Sequence, residues 1–268
     1  MTATLTLPPR RASMLGASVA VARRTARKFL RTPQLVVVGT IQGALFLLIF
    51  RYVFGGAINI HGVSYVDYLG PGYVVTSVLF VGMMTAAGVA EDLEQGFVDR
   101  LRSLPIPRAS VLTGRAIADT GIIAWSLAIT VAISFAVGFR LHGTIAEGIA
   151  AFLLCVLFGF AFIWMFVTIG LFAGNAQAAQ GMSLLVFPLT FVSSAYVPVA
   201  SMPGWLQAFA DHQPITVMVD AVRALCLGDA AQSVLGHPAG HYVLPALLWV
   251  VALVAVFGSV AVARFRRG

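Results

Sequence analysis

The chain has 268 residues, of which 59% are hydrophobic and 10% charged, and its mean hydropathy is +0.93. Soluble domains carry about 25% charged residues, so this composition excludes an ordinary soluble domain. It calls for an integral membrane protein whose apolar runs have the length of helices rather than of barrel strands. The net charge of +7 does not point to nucleic acid, because the basic residues gather at the flanks of the apolar runs.

In chain order, residues 1–13 are expected to be disordered. Met14 to Arg31 predicts an amphipathic helix: Leu15, Val19, Ala22, Ala26 and Phe29 form an apolar stripe, and Arg23, Arg24, Arg27, Lys28 and Arg31 a basic flank. Such a helix lies in the headgroup layer. Residues 32–268 are expected to form one six-span membrane domain. Thr32 and Pro33 suit a cap and first residue of a new helix. The first span is expected over Gln34 to Phe54, with Arg51 near its end and able to snorkel outward. A polar loop over 55–70 leads into Tyr68-Leu69-Gly70-Pro71-Gly72, and the second span over Gly72 to Ala90.

Glu91 to Arg115 then places four acids and four arginines between two apolar runs. A segment so charged must lie outside the hydrocarbon. Leu93, Phe97, Leu101 and Leu104 share one helical face, so a short amphipathic helix is expected, ended by Pro105 and Pro107. The third span is expected over Val111 to Phe139, with Asp119 near its start.

Residues 148–210 hold no Asp, Glu, Lys or Arg. A single helix of that length would measure about 95 Å against a hydrocarbon core of about 30 Å, so the chain must turn back. The polar break at Gly174 to Gly181 divides it into a fourth span (148–173) and a fifth (181–199). Met202 to Ala210 and Ile215 to Leu227 are short apolar helices separated by Asp211-His212-Gln213-Pro214. Their lengths suit a re-entrant or interfacial hairpin. Within it, Asp220 and Arg223 stand at i, i+3 and can pair. The sixth span is expected over Tyr242 to Ala263.

Six spans put both termini on one side. That side then holds fourteen of the 17 basic residues, leaving Arg51, Arg140 and Arg223 opposite. This asymmetry predicts cytoplasmic termini, a cytoplasmic 91–115 segment and an outward hairpin.

Chemistry-bearing motifs are absent from the sequence. Lys28 is the one lysine and no glycine loop precedes it, so the chain carries no P-loop. No G-x-S-x-G, H-E-x-x-H or C-x-x-C occurs, and no nucleophile, base and metal constellation is visible. Cys155 and Cys226 imply no disulfide framework. His237 and His241 are four apart, but Pro238 and Gly240 argue against a shared helical face, and no metal site is expected there.

The stretch Asp92-Leu93-Glu94-Gln95-Gly96-Phe97-Val98-Asp99-Arg100-Leu101-Arg102-Ser103-Leu104-Pro105-Ile106-Pro107-Arg108 resembles the cytoplasmic segment of type-2 ABC exporter permeases, especially the daunorubicin/doxorubicin resistance branch. Tyr68 to Gly72 resembles that family's start of the second span. Phe187 to Pro198, followed by Met202 to Leu206, resembles its fifth span and outer hairpin, and Gln213 to Thr216 with Asp220 to Leu225 its hairpin end. The family's usual Asn-Pro is Gln213-Pro214 here.

The resemblance implies an all-α integral membrane fold. It has six transmembrane helices, an N-terminal amphipathic interfacial helix, a cytoplasmic coupling helix between spans two and three, and an outer re-entrant hairpin between spans five and six. It implies a permease subunit, not itself an enzyme, for ATP-driven export of a hydrophobic drug-like or lipid substrate. Separate ABC ATPase subunits would use ATP and Mg, and a second permease copy or paralogue would complete the dimer in the cell membrane. No cofactor would be bound by this chain. The coupling segment would comprise Glu91, Asp92, Glu94, Gly96, Phe97, Arg100, Leu101, Arg102, Leu104 and Pro105. Phe97, Leu101 and Leu104 would pack into an ATPase cleft, Arg100, Arg102 and the acids would orient the contact, and Gly96 would permit close approach. The hairpin would be marked by Trp205, Pro214, Asp220 and Arg223. Rival readings are a polysaccharide or glycolipid exporter and, ranked lower, an ATPase-independent channel or secondary carrier, for which no inverted repeat is visible.

Overall fold

The computed structural model describes residues 16, 19–20, 22–25, 27, 33–56, 62–96 and 108–267, without the side chains of 33–40, 108–110 and 266–267. The described residues form helices joined by turns and irregular segments, with no strand among them. Helix α1 (Pro33–Ile49) runs directly into a π-helical stretch, Phe50–Phe54. Then come α2 (Tyr65–Glu94), α3 (Arg108–Val137) and α4 (Ile145–Phe172). The short helices α5 (Ala176–Leu184), α6 (Phe187–Phe191) and α7 (Gly204–Ala210) follow. Next are α8 (Pro214–Leu227), α9 (Ala231–Leu235) and α10 (Ala239–Arg267).

Among the described residues, four helices are long and apolar enough to cross a membrane: α2, α3, α4 and α10. Ile41–Phe54 is a shorter apolar helix. α2 and α4 form the centre. α2 packs on α3, α4, α5 and α8, while α4 packs on α2, α3, α8 and α10. The two helices come close because Gly82 has no side chain: a Cβ there would stand 2.2 Å from the Phe166 ring. Small residues of this kind let membrane helices approach where no hydrophobic drive separates helix from lipid. The outer faces of α3 and α10 carry exposed Ile117, Trp125, Leu244, Leu248 and Val251. Apolar side chains pointing out from a bundle suit a hydrocarbon solvent.

Two boundaries differ from the sequence expectation. The polar loop expected through residue 70 ends at Ser64, whose Oγ accepts from Asp67 N at 3.2 Å and caps α2. Tyr68 to Gly72 therefore lies inside the helix. Pro71 is tolerated in the second turn, where its missing donor costs one intrahelical bond. The fifth span, expected as one helix over 181–199, is broken: α5 stops at Leu184 and α6 at Phe191. Pro188 explains the first stop, because its ring opposes the carbonyl four residues earlier, that of Leu184. Past α6, hydroxyls satisfy the backbone: Thr190 Oγ1 donates to the Phe187 carbonyl at 2.7 Å and Ser193 Oγ to the Thr190 carbonyl at 2.6 Å. His237 and His241 share no helical face, as Pro238 and Gly240 predict, since α10 begins at Ala239; their ring centroids nonetheless stand 4.3 Å apart.

Two short helices, α7 and α8, occupy the stretch where the hairpin is expected. α8 inserts against α2, α4 and α10.

Candidate functional site

At the end of the bundle where α2 stops and α3 starts, four charged side chains form a chain of ion pairs. Arg115 Nε donates to Asp119 Oδ2 at 2.7 Å, one helical turn along α3. Arg115 Nη1 donates to Asp92 Oδ2 at 2.9 Å in the last turn of α2. The other Asp92 oxygen, Oδ1, accepts from Arg24 Nη2 at 3.0 Å, from the helical residues 22–25. Asp92 and Asp119 are buried, so unpaired they would be costly; paired and hydrogen-bonded they are tolerated. An acid in the last turn of a helix also opposes the helix dipole, which the two arginines offset. Gly88 makes the room: a Cβ there would stand 2.5 Å from Arg115 Nη2. The network ties the N-terminal segment, α2 and α3 together at the mouth of the charged stretch.

The expected coupling residues separate at this point. Asp92 is in the network. Glu91 Oε1 accepts from Gln95 Nε2 at 3.0 Å, and Glu94 is exposed. Gly96 has φ +66°, and its left-handed backbone ends α2. That turn also corrects the expected single amphipathic face. Leu93 belongs to α2 and packs on the core, and no continuous helix carries it on to residue 97. Phe97, Arg100, Leu101, Arg102, Leu104 and Pro105 lie outside the described residues, as do residues 1–13 and most of the 14–31 helix.

A second constellation lies toward the other end. Arg223 is 0% exposed. Its Nη1 donates to Asp220 Oδ1 at 2.9 Å, its Nη2 to the Ser194 carbonyl at 2.7 Å and its Nε to the Tyr68 carbonyl at 3.1 Å. Ser194 Oγ donates to Asp220 Oδ1 at 2.7 Å. Tyr68 and Tyr65 donate to the Ser194 and Tyr196 carbonyls at 3.0 and 3.2 Å. Gly72 lies so near the Ala195 carbonyl that a Cβ would stand 2.1 Å from its oxygen. The three sequence stretches 68–72, 193–196 and 220–223 thus converge on one buried joint. The i, i+3 pairing of Asp220 with Arg223 is as the sequence spacing predicts. The partners from α2 and from the turn after α6 carried no such local signal.

Gln213 Nε2 donates to the carbonyls of Leu189 and Val192, anchoring α8 to the end of α6. Pro214 follows at the first position of α8. Trp205 is 77% exposed and takes no part in the joint. Among the described residues no group of three or more His, Cys, Asp or Glu could hold a metal ion.

A bundle of long lipid-facing helices, with a buried ion-pair joint and a charged end closed by four salt-bridged side chains, defines a multi-pass membrane protein. The ABC-2 type transporter family model matches residues 17–227, and the chain belongs to that family. It is 31% identical over 260 residues to the daunorubicin resistance ABC transporter permease protein DrrB1 of Streptomyces coeruleorubidus, covering 96% of this chain and 89% of that protein. It is 27% identical over 170 residues to the probable doxorubicin resistance ABC transporter permease protein DrrC of Mycobacterium tuberculosis, covering 63% of this chain and 60% of that protein. To the probable multidrug ABC transporter permease YbhR of Escherichia coli K12 it is 26% identical over 199 residues, covering 72% of this chain and 51% of that protein.

Proposed function

We propose that this chain is the transmembrane subunit of an ATP-driven exporter of hydrophobic drug-like compounds, with ATP hydrolysed by a separate subunit docked at the charged end. The observation that carries this reading is the similarity to a daunorubicin resistance permease along nearly the whole chain. The ion-pair network adds a physical reason. A docking segment that receives force must be fixed to the helices it moves, and Arg24, Asp92, Arg115 and Asp119 join three elements where the 97–107 segment leaves and returns.

Six passes are the reading for α1 with its π-helical tail, α2, α3, α4, the broken α5–α6 pair and α10. Both termini and residues 91–115 then face the cytoplasm, in keeping with the basic-residue asymmetry. Phe97, Leu101 and Leu104 would enter the ATPase cleft, with Arg100 and Arg102 orienting the contact and a second permease completing the path. Residues 14–31 would lie on the membrane surface.

The test is ATP-dependent uptake of daunorubicin into inside-out vesicles containing the chain and its co-expressed ATPase. Uptake that needs both subunits supports the proposal. Uptake by the chain alone, or ATP-independent uptake, contradicts it.

A further inference from the structure

At the end of the bundle opposite the Asp92–Arg115 network lies an apolar cavity of about 290 Å³ between α2, α3, α4 and α8. Its walls include Val74, Phe135, Phe152, Cys155 and Val222. The one hydroxyl in the wall, of Ser134, is already committed, since its Oγ donates to the Thr130 carbonyl at 2.9 Å. Apart from the weakly polar Cys155 and Cys226 thiols the wall is hydrocarbon, and a strongly polar occupant would find no good partner there. The mouth is edged by Ile145 and Ile149, both strongly exposed on the outward face of α4. The cavity thus opens sideways, toward lipid.

The rim is basic. Arg140 follows the wall residue Phe139, and its Nη1 donates to the carbonyls of Phe135 and Phe139 at 3.1 and 2.9 Å. Arg51 reaches the same helix end from the π-helical stretch: a Cβ on Gly138 would stand 2.5 Å from its Nη1. These two are the basic residues, besides the buried Arg223, that positive-inside counting leaves on this side. Two acids lie nearby, held by backbone and hydroxyl donors rather than by either guanidinium. Asp67 accepts from Arg140 N at 2.8 Å and Ser64 Oγ at 2.6 Å, with His142 Nε2 at 3.9 Å. Glu147 accepts from Thr144 N and Oγ1 at 2.7 and 2.9 Å. Among the described residues neither the Arg51 nor the Arg140 guanidinium is paired with a carboxylate.

We infer that this cavity binds one acyl chain of an anionic phospholipid, with the headgroup phosphate between Arg51 and Arg140. A dry hydrocarbon slot open to the bilayer selects an alkyl chain, and two cations at the rim select a negative headgroup over a zwitterionic one. The site is separate from the charged end and does not depend on the ATPase docking proposed above.

The test uses the full chain in phosphatidylcholine nanodiscs doped with phosphatidylglycerol bearing a diazirine midway along one acyl chain. After photolysis, adducts are mapped by peptide mass. They are expected on segments 131–139 and 145–155. Excess unlabelled phosphatidylglycerol should suppress them more than equal phosphatidylcholine does. Ile149→Trp, placed at an exposed position that leaves packing intact, should remove most of the adducts by plugging the mouth. The Arg51→Gln/Arg140→Gln pair should lower phosphatidylglycerol labelling about three- to fivefold, the scale of an exposed ion pair, and leave a phosphatidylcholine analogue unchanged. Adducts elsewhere, labelling indifferent to Ile149→Trp, or equal competition by the two lipids would overturn the inference. So would displacement by daunorubicin where excess phosphatidylglycerol fails, since the cavity would then belong to the cargo path.

Discussion

The Arg223 guanidinium stands 3.6 Å from the centroid of the Tyr68 ring while its Nε donates to the carbonyl of the same residue at 3.1 Å. One side chain thus grips both the face and the backbone of a residue 155 positions away. Because it also holds Asp220 and Ser194, it fixes the inserted helix α8 to α2 and to the turn after α6. Arg223→Leu would leave the Asp220 carboxylate and two carbonyls short of a donor. Removing one partner of a buried pair costs about 3–5 kcal/mol, so this variant should lose most of its folded yield in detergent. Arg223→Lys keeps the charge but not the planar fork and should fall between, as read by thermal unfolding followed by size exclusion.

At the charged end, Asp92 and Arg115 share one network, so their substitutions should not add. Asp92→Asn and Arg115→Gln are each expected to destabilise the protein, and the double variant to cost less than their sum by about 1–3 kcal/mol. A double-mutant cycle on thermal stability measures this. Strict additivity would show that the two do not act as a unit.

Gly72 and Gly121 make a matched pair. Gly72→Ala drives a Cβ to 2.1 Å from the Ala195 carbonyl oxygen, and a backbone shift is needed to receive it. A cost of about 1–3 kcal/mol is expected, as for overpacked cores. Gly121 sits in α3 with open space around it, so Gly121→Ala should be neutral or stabilising by about 0.5–1 kcal/mol. Unfolding midpoints of the two variants, measured side by side, check both.

Gly96 ends α2 at φ +66°, a conformation that costs a residue with a Cβ about 1–2 kcal/mol. Gly96→Ala is therefore expected to disfavour the turn into the 97–107 segment. Transport per ATP hydrolysed should fall while the thermal stability of the bundle stays near wild type. An unchanged ratio would place the turn outside the coupling path.

How much of this was legible in the sequence depends on the range of each interaction. The membrane class and the long helices follow from apolar runs bounded by charge, and α7 and α8 from two short runs around Pro214. The pairs Arg115–Asp119 and Asp220–Arg223 sit at helical spacing and are readable locally. Asp92 as the meeting point of Arg24 and Arg115 is not, because those partners are 68 and 23 residues away and come together through helix packing. The break in the fifth apolar stretch could have been read from Pro188, but its continuous hydrophobicity masks it, since hydropathy carries no record of backbone hydrogen bonding. The helical start at Tyr65 was hidden by Gly70-Pro71-Gly72, which reads as a turn in water and is held as helix by the Ser64 cap and the joint around Arg223.

In the function proposed above, this chain works through a nucleotide-hydrolysing subunit seated on its charged end. The most direct measurement is the ATPase subunit recovered when the tagged chain is purified from its own membranes after mild crosslinking. A P-loop subunit crosslinked to residues 91–108 is expected, recovered several-fold less with Arg100→Glu and with Gly96→Trp, and undiminished with Trp205→Ala at the exposed start of α7. Recovery of no such subunit, or equal recovery with all three variants, would contradict the proposed function.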